Sequence, residues 1–159
     1  MELISKELHR LDEQLRKSFE GEAWHGPSLM EALKGVNAEQ AAAHPVPGAH
    51  SIWELVTHLA GTYGLVLKRL EGKGWELPPD EDWPSTPAVT EENWKAAMEN
   101  LKSLNFEIRS WVKRYQPEKL DEQIVNEVPY TAYTQFIGIT QHDLYHAGQI
   151  VILRKLLGI

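Results

Sequence analysis

Cysteine is absent from the 159 residues. That excludes disulfide frameworks, thiolate metal sites and cysteine nucleophiles together, so any metal must be held by nitrogen and oxygen ligands. Positive charge is scarce as well: 16 Lys and Arg stand against 23 Asp and Glu, a formal charge of −7. Duplexes and polyanionic surfaces are bound by clustered cations that displace counterions, so nucleic acid is not an expected partner. No apolar run reaches the roughly 18 residues that a membrane span requires. The opening stretch, M-E-L-I-S-K-E-L-H-R, is charged and amphipathic, with no apolar signal core or small-residue cleavage site. The expected setting is the cytoplasm, with no membrane partner. The length fits one domain, residues 1–159, able to bury a core without staples.

What is present is helical periodicity. Ile4, Leu8, Leu11, Leu15 and Phe19 recur at intervals of three and four with charged residues between them, which predicts an amphipathic helix over 2–19. A short helix is expected from Ser28 to Lys34, closed by Gly35, and Pro45 and Pro47 then prevent a long element. Ser51 and Glu54 have capping-box spacing, so a second long helix should run from about Ile52 to Glu71 and stop at Gly72. Residues 72–89 hold four prolines and two tryptophans and predict no regular structure; a linker of that length usually covers something or is mobile. A third long helix starts at Thr90, carries Trp94, Met98, Leu101, Asn105, Ile108, Val112 and Tyr115 on one face, and ends before Pro117. A fourth runs from about Ala132 to Leu157 and stops at Gly158. Four long amphipathic helices with long joins predict an all-α four-helix bundle.

The last helix raises a chemical question. Ile139, His142, His146, Ile150, Leu153 and Leu157 are separated by 3, 4, 4, 3 and 4 residues, so two imidazoles lie in line with aliphatic side chains aimed at the interior. One turn apart, two rings can converge on one ion. His58 on the second long helix lies in line with Leu55, Thr62 and Leu65, toward the edge of the widest apolar stripe. A lone interior histidine is usually a neutral, hydrogen-bonded core residue. Two neighbouring rings each need partners for two nitrogens, and a shared divalent cation meets that need. Spacing alone leaves both readings open.

The stretches S-I-W-E-L-V-T-H-L-A-G, with His58, and Q-H-D-L-Y-H-A-G-Q-I, with His142, His146 and the following Gly148-Gln149, resemble the DinB/YfiT-like family of four-helix proteins. The likeness extends to the chain order, the capped start at Ser51 and the glycine-terminated last helix. It implies a divalent metal (nickel, zinc or iron) held by His58, His142 and His146. Three neutral imidazoles leave at least one coordination position open, where a water or a thiol can be activated. The resemblance therefore implies a metal-dependent enzyme acting on a small molecule, hydrolase-like or transferring an external low-molecular-weight thiol, and a homodimer. The alternatives are a metal-binding protein without turnover, stress-related or serving interaction, and a plain helical protein with three core histidines.

Other readings are weaker. H-D-L-Y-H is not H-E-x-x-H, since Asp143 is shorter than the glutamate base and lies about 100° round the helix from His142. A di-iron centre needs further carboxylates that the second helix lacks. Asp143 reads as a surface acid or as an acceptor for a ligand's ring N–H. Glu54 is explained by its cap; His50 is a candidate extra ligand that sits in a Pro/Gly-rich loop, where a histidine is usually solvated; His9, His25 and His44 have no motif. Gly148, in a helix interior, suggests close approach of another helix. Tyr63, Tyr145, Trp75 and Trp83 are candidates to line a pocket, the last two brought by the linker.

Overall fold

Three of the four long helices begin where a side-chain oxygen meets an orphan N–H group of the first turn. The computed structural model describes residues 2–159, with side chains from Lys6 onward, so the side chain of Ile4 lies outside the described residues. Its elements are α1 (Glu2–Phe19), α2 (Leu29–Leu33), α3 (Ala38–Ala42), α4 (Ile52–Leu70), α5 (Pro79–Asp82), α6 (Glu91–Arg114), a 3-10 turn at Pro117–Lys119 and α7 (Ala132–Leu157). At α4, the Glu54 amide donates to Ser51 Oγ at 3.2 Å and the Ser51 amide to Glu54 Oε2 at 2.6 Å. Thr90 and Thr131 cap α6 and α7 with a single such bond each, their hydroxyl oxygens accepting from the amides of Asn93 and Thr134. Gly158 closes α7 at φ 74°, a conformation that costs glycine nothing.

The bundle forms because the four long helices bury one stripe each. α1 contributes Leu8, Leu11, Leu15 and Phe19, α4 Ile52, Val56, Leu59 and Tyr63, α6 Leu101, Ile108 and Val112, and α7 Phe136, Ile139 and Ile150. Both α1 and α4 pack on α6 and α7, giving the cyclic order α1, α6, α4, α7. α2 lies on α7, where Arg154 Nη1 donates to the Ala32 carbonyl at 2.8 Å, and α3 braces α4 and α6. No strand longer than an isolated bridge occurs among the described residues.

The linker departs from expectation. Its Pro79 sits where a helix's first turn lacks partners anyway, and Pro79–Asp82 form a single helical turn, α5, packed on α4. A glycine makes the seat: a Cβ on Gly61 would stand 2.7 Å from the Glu81 carbonyl oxygen, inside van der Waals contact. Gly148, expected to mark a close approach, faces open space instead. The tight contact falls on α4, not α7.

Candidate metal centre

α4 presents His58, and α7 presents His142 and His146 one turn apart on the side facing α4. The pattern put His58 near the rim of its stripe; it is buried, because α5 and Trp83 cover that rim. His142 Nε2 lies 3.0 Å from His58 Nε2 and 2.9 Å from His146 Nε2. The three rings stand nearly perpendicular, at 72°, 80° and 82° to one another. Among the described residues this is the group of side chains whose ligand atoms all fall within 4.8 Å of one another.

The outer nitrogens determine what the inner ones offer. His58 Nδ1 lies 2.8 Å from Asp82 Oδ1 and 3.1 Å from the Asp82 carbonyl, and His146 Nδ1 lies 2.6 Å from Gln149 Oε1. Facing acceptors, both Nδ1 atoms donate, and in a neutral ring that leaves Nε2 as a bare lone pair. His142 Nδ1 is buried without a partner. Burial, then the neighbouring His146 and His58, push His142 down to about 4, and burial likewise lowers His146 against the opposing bond from Gln149. Neutral rings with converging lone pairs repel unless a proton or a cation lies between them. Two ligands about 2.1 Å from one ion and at right angles to each other are about 3 Å apart. The donor set therefore fits a divalent cation.

The surroundings are aromatic and apolar. Trp83 lies parallel to His58 at 4.0 Å between ring centroids and to His50 at 3.6 Å. A cavity of about 370 Å³ opens beside His146, walled by Val46, Leu55, Trp83, Tyr145 and Ile152. His142 faces a second cavity of about 280 Å³ between α4 and α7.

Other candidates go elsewhere. His50 stacks on Trp83 and stands 3.6 Å from Glu54, outside the cluster. Glu54 is held by its cap and by His44 Nε2 at 2.9 Å. His9 and His25 are exposed. Trp75 is exposed, whereas Tyr63 is wholly buried in the core. Asp143 is neither a surface acid nor a partner of the three histidine rings. It is fully buried about 100° round α7 from His142, accepting from Tyr63 Oη at 2.5 Å and Ser18 Oγ at 3.1 Å. Burial pushes it up to about 7 despite those two bonds.

Sequence reasoning did not single out Asp82 or Gly61. Asp82 is one acid in D-E-D-W, and nothing local distinguishes it. Gly61 carried a usable signal: an interior helix glycine three residues after a candidate ligand.

An all-helical bundle bringing one imidazole from its second long helix to an H-x-x-x-H pair on its last is a protein of the three-histidine bundle class. Residues 23–150 match the family model described as the DinB superfamily, and the chain belongs to that superfamily. Comparison with curated proteins and with solved structures finds no match.

Proposed function

We propose that His58, His142 and His146 hold one divalent cation and that the protein is a metal-dependent enzyme acting on a small molecule. The observation that supports this most is the convergence of three Nε2 atoms while the Nδ1 atoms of His58 and His146 are tied to Asp82 and Gln149. When bound, a cation would supply Lewis acidity, to activate a water for hydrolysis or an external thiol for transfer. The chain's own residues do the rest. Asp82 and Gln149 hold the ring tautomers, Trp83 screens His58, and the apolar cavity beside His146 admits a small molecule while limiting water. A cytoplasmic setting, where low-molecular-weight thiols stay reduced, belongs to this proposal. So does a homodimer, for which Tyr145, Ile152 and Leu156 form an exposed apolar stripe along α7; sedimentation as a monomer would retire it.

Elemental analysis of untagged protein tests the centre: about one metal per chain in the parent and loss in His142→Ala and His146→Ala. Unchanged stoichiometry in both variants would refute it. For turnover, metal-loaded protein is assayed with a panel of low-molecular-weight thiols against an electrophilic reporter, and with simple esters. Activity should vanish in His58→Ala. A second reading, metal binding without turnover, is favoured by the lining of the larger cavity, which carries no carboxylate to serve as a base; absence of any rate above background would support it.

A further inference from the structure

The smaller cavity has a composition the rest of the protein does not lead one to expect. It is a groove between α4 and α7 whose walls come from Thr62, Val66 and Arg69 on one side and Thr134, Gly138 and His142 on the other. Thr62 to Arg69 is about 10 Å of helix rise, and Thr134 to His142 about 12 Å, so the groove leads from a cation to the three-histidine cluster. No carboxylate lines it. In a chain of net charge −7, a cationic pocket free of acids is a specific arrangement.

Arg69 is half-buried, yet its partners are neutral. Nε and Nη2 donate to the Trp75 carbonyl at 3.1 and 2.7 Å, and Nη1 donates to Gln135 Oε1 at 3.0 Å. These contacts hold the guanidinium plane in place and leave one N–H on each terminal nitrogen. Burial lowers the pKa of Arg69, and the influence opposing it comes from the Tyr130 phenol, not from an acid. A positioned, partly desolvated guanidinium with further N–H donors is suited to receive a carboxylate.

Gly138 supplies an independent sign. An interior helix glycine costs about 1 kcal/mol relative to alanine. A Cβ there would meet nothing within 4 Å, so packing does not require glycine. Its effect is to leave the floor of the groove open.

We propose that this groove is a binding subsite for a small molecule bearing one carboxylate, anchored by Arg69, with its uncharged body directed along Val66 and Gly138 toward His142. A single cation among neutral groups matches a monoanion better than a phosphate dianion. The role of the subsite in presenting a substrate to the centre rests on the metal proposal. Its affinity for a carboxylate does not.

The test uses butyrate, benzoate and 4-phenylbutyrate, each against its primary amide, with inorganic phosphate as a further probe. Binding is followed by calorimetry and protein NMR on metal-free and nickel-loaded chain. The acids should bind the metal-free protein, perturbing Thr62, Gly138 and Gln135 amides. The amides, and the acids on Arg69→Gln, should bind roughly tenfold to a hundredfold more weakly, with Arg69→Lys between. Because Arg69 also fastens the linker at Trp75, Gly138→Leu provides a variant that fills the groove without touching Arg69; it should fold at least as well and lose the acids. Equal binding of acids and amides, unchanged affinity in both Arg69→Gln and Gly138→Leu, or phosphate binding as tightly as the acids would each overturn the assignment. Carboxylate that binds only the nickel-loaded chain and ignores Arg69 would sink the subsite while leaving the metal centre standing. Arg69-dependent binding to a chain that takes up no metal would do the reverse.

Discussion

Replacing Gly61 with alanine separates what a helix prefers from what this site needs. In an isolated helix the change is worth about 1 kcal/mol in favour of alanine. Here the new methyl would lie 2.7 Å from the Glu81 carbonyl oxygen, against 3.4–4 Å for ordinary contact, so α5 must retreat by several tenths of an ångström. Overpacking of that kind costs about 1–3 kcal/mol, so the net should fall between neutrality and about 2 kcal/mol of destabilisation. Gly148→Ala is the control, since its methyl projects into open space and should gain about 1 kcal/mol. The gap between the variants, about 1–3 kcal/mol in urea denaturation at constant m, measures the seating of α5 on α4. The same retreat withdraws Asp82 from His58 Nδ1 and Trp83 from the ring face, contacts now at 2.8 Å and 4.0 Å. Loss of such a supporting acceptor typically lowers metal affinity about tenfold to a hundredfold. Chelator competition should show that loss in Gly61→Ala and none in Gly148→Ala. If Gly61→Ala gains stability as Gly148→Ala does and binds metal equally well, the linker does not organise the centre.

Nickel at a hundred times its dissociation constant should stabilise the fold by about 2.7 kcal/mol, raising Tm by about 5–10 °C. EDTA should reverse the rise and His142→Ala abolish it; a metal-independent Tm would contradict the site. Tyr63→Phe removes a donor from wholly buried Asp143 and should cost about 3 kcal/mol in urea denaturation. Asp143→Asn keeps an acceptor for Tyr63 and offers a donor to Ser18 Oγ, so it should cost less, and the opposite order would refute this account. Ser51→Ala should cost about 1 kcal/mol through the lost cap, leaving metal stoichiometry unchanged. A shifted stoichiometry would mean that the start of α4 does more than begin a helix.

The long helices were legible because each writes its buried stripe as a 3.6-residue period and most of their ends as a cap, a glycine or a proline. Leu8, Leu11, Leu15 and Phe19 are all buried as spaced, and Ser51, Thr90 and Gly158 stand at the boundaries. The same periodicity aimed His142 and His146 at the interior. For His58 it was ambiguous, since hydrophobicity along α4 cannot register a tryptophan arriving from 25 residues downstream. Trp83 and α5 complete the burial, and they are connected to α4 only through space.

Asp143 and Gly148 show where a local reading fails. A charged residue on a long helix is more often solvated than buried, and nothing within one turn of Asp143 announces Tyr63 on α4 or Ser18 on α1. An interior glycine likewise reports that something is unusual, but not what stands opposite. Gly61 faces a backbone carbonyl, Gly138 faces a ligand-sized groove and Gly148 faces solvent, although all three cost their helices the same propensity. The property that distinguishes them is the partner across the gap. For Gly61 the partner is the turn that carries Asp82 and Trp83 to His58, so a missing side chain in α4 bears directly on the geometry of the three rings.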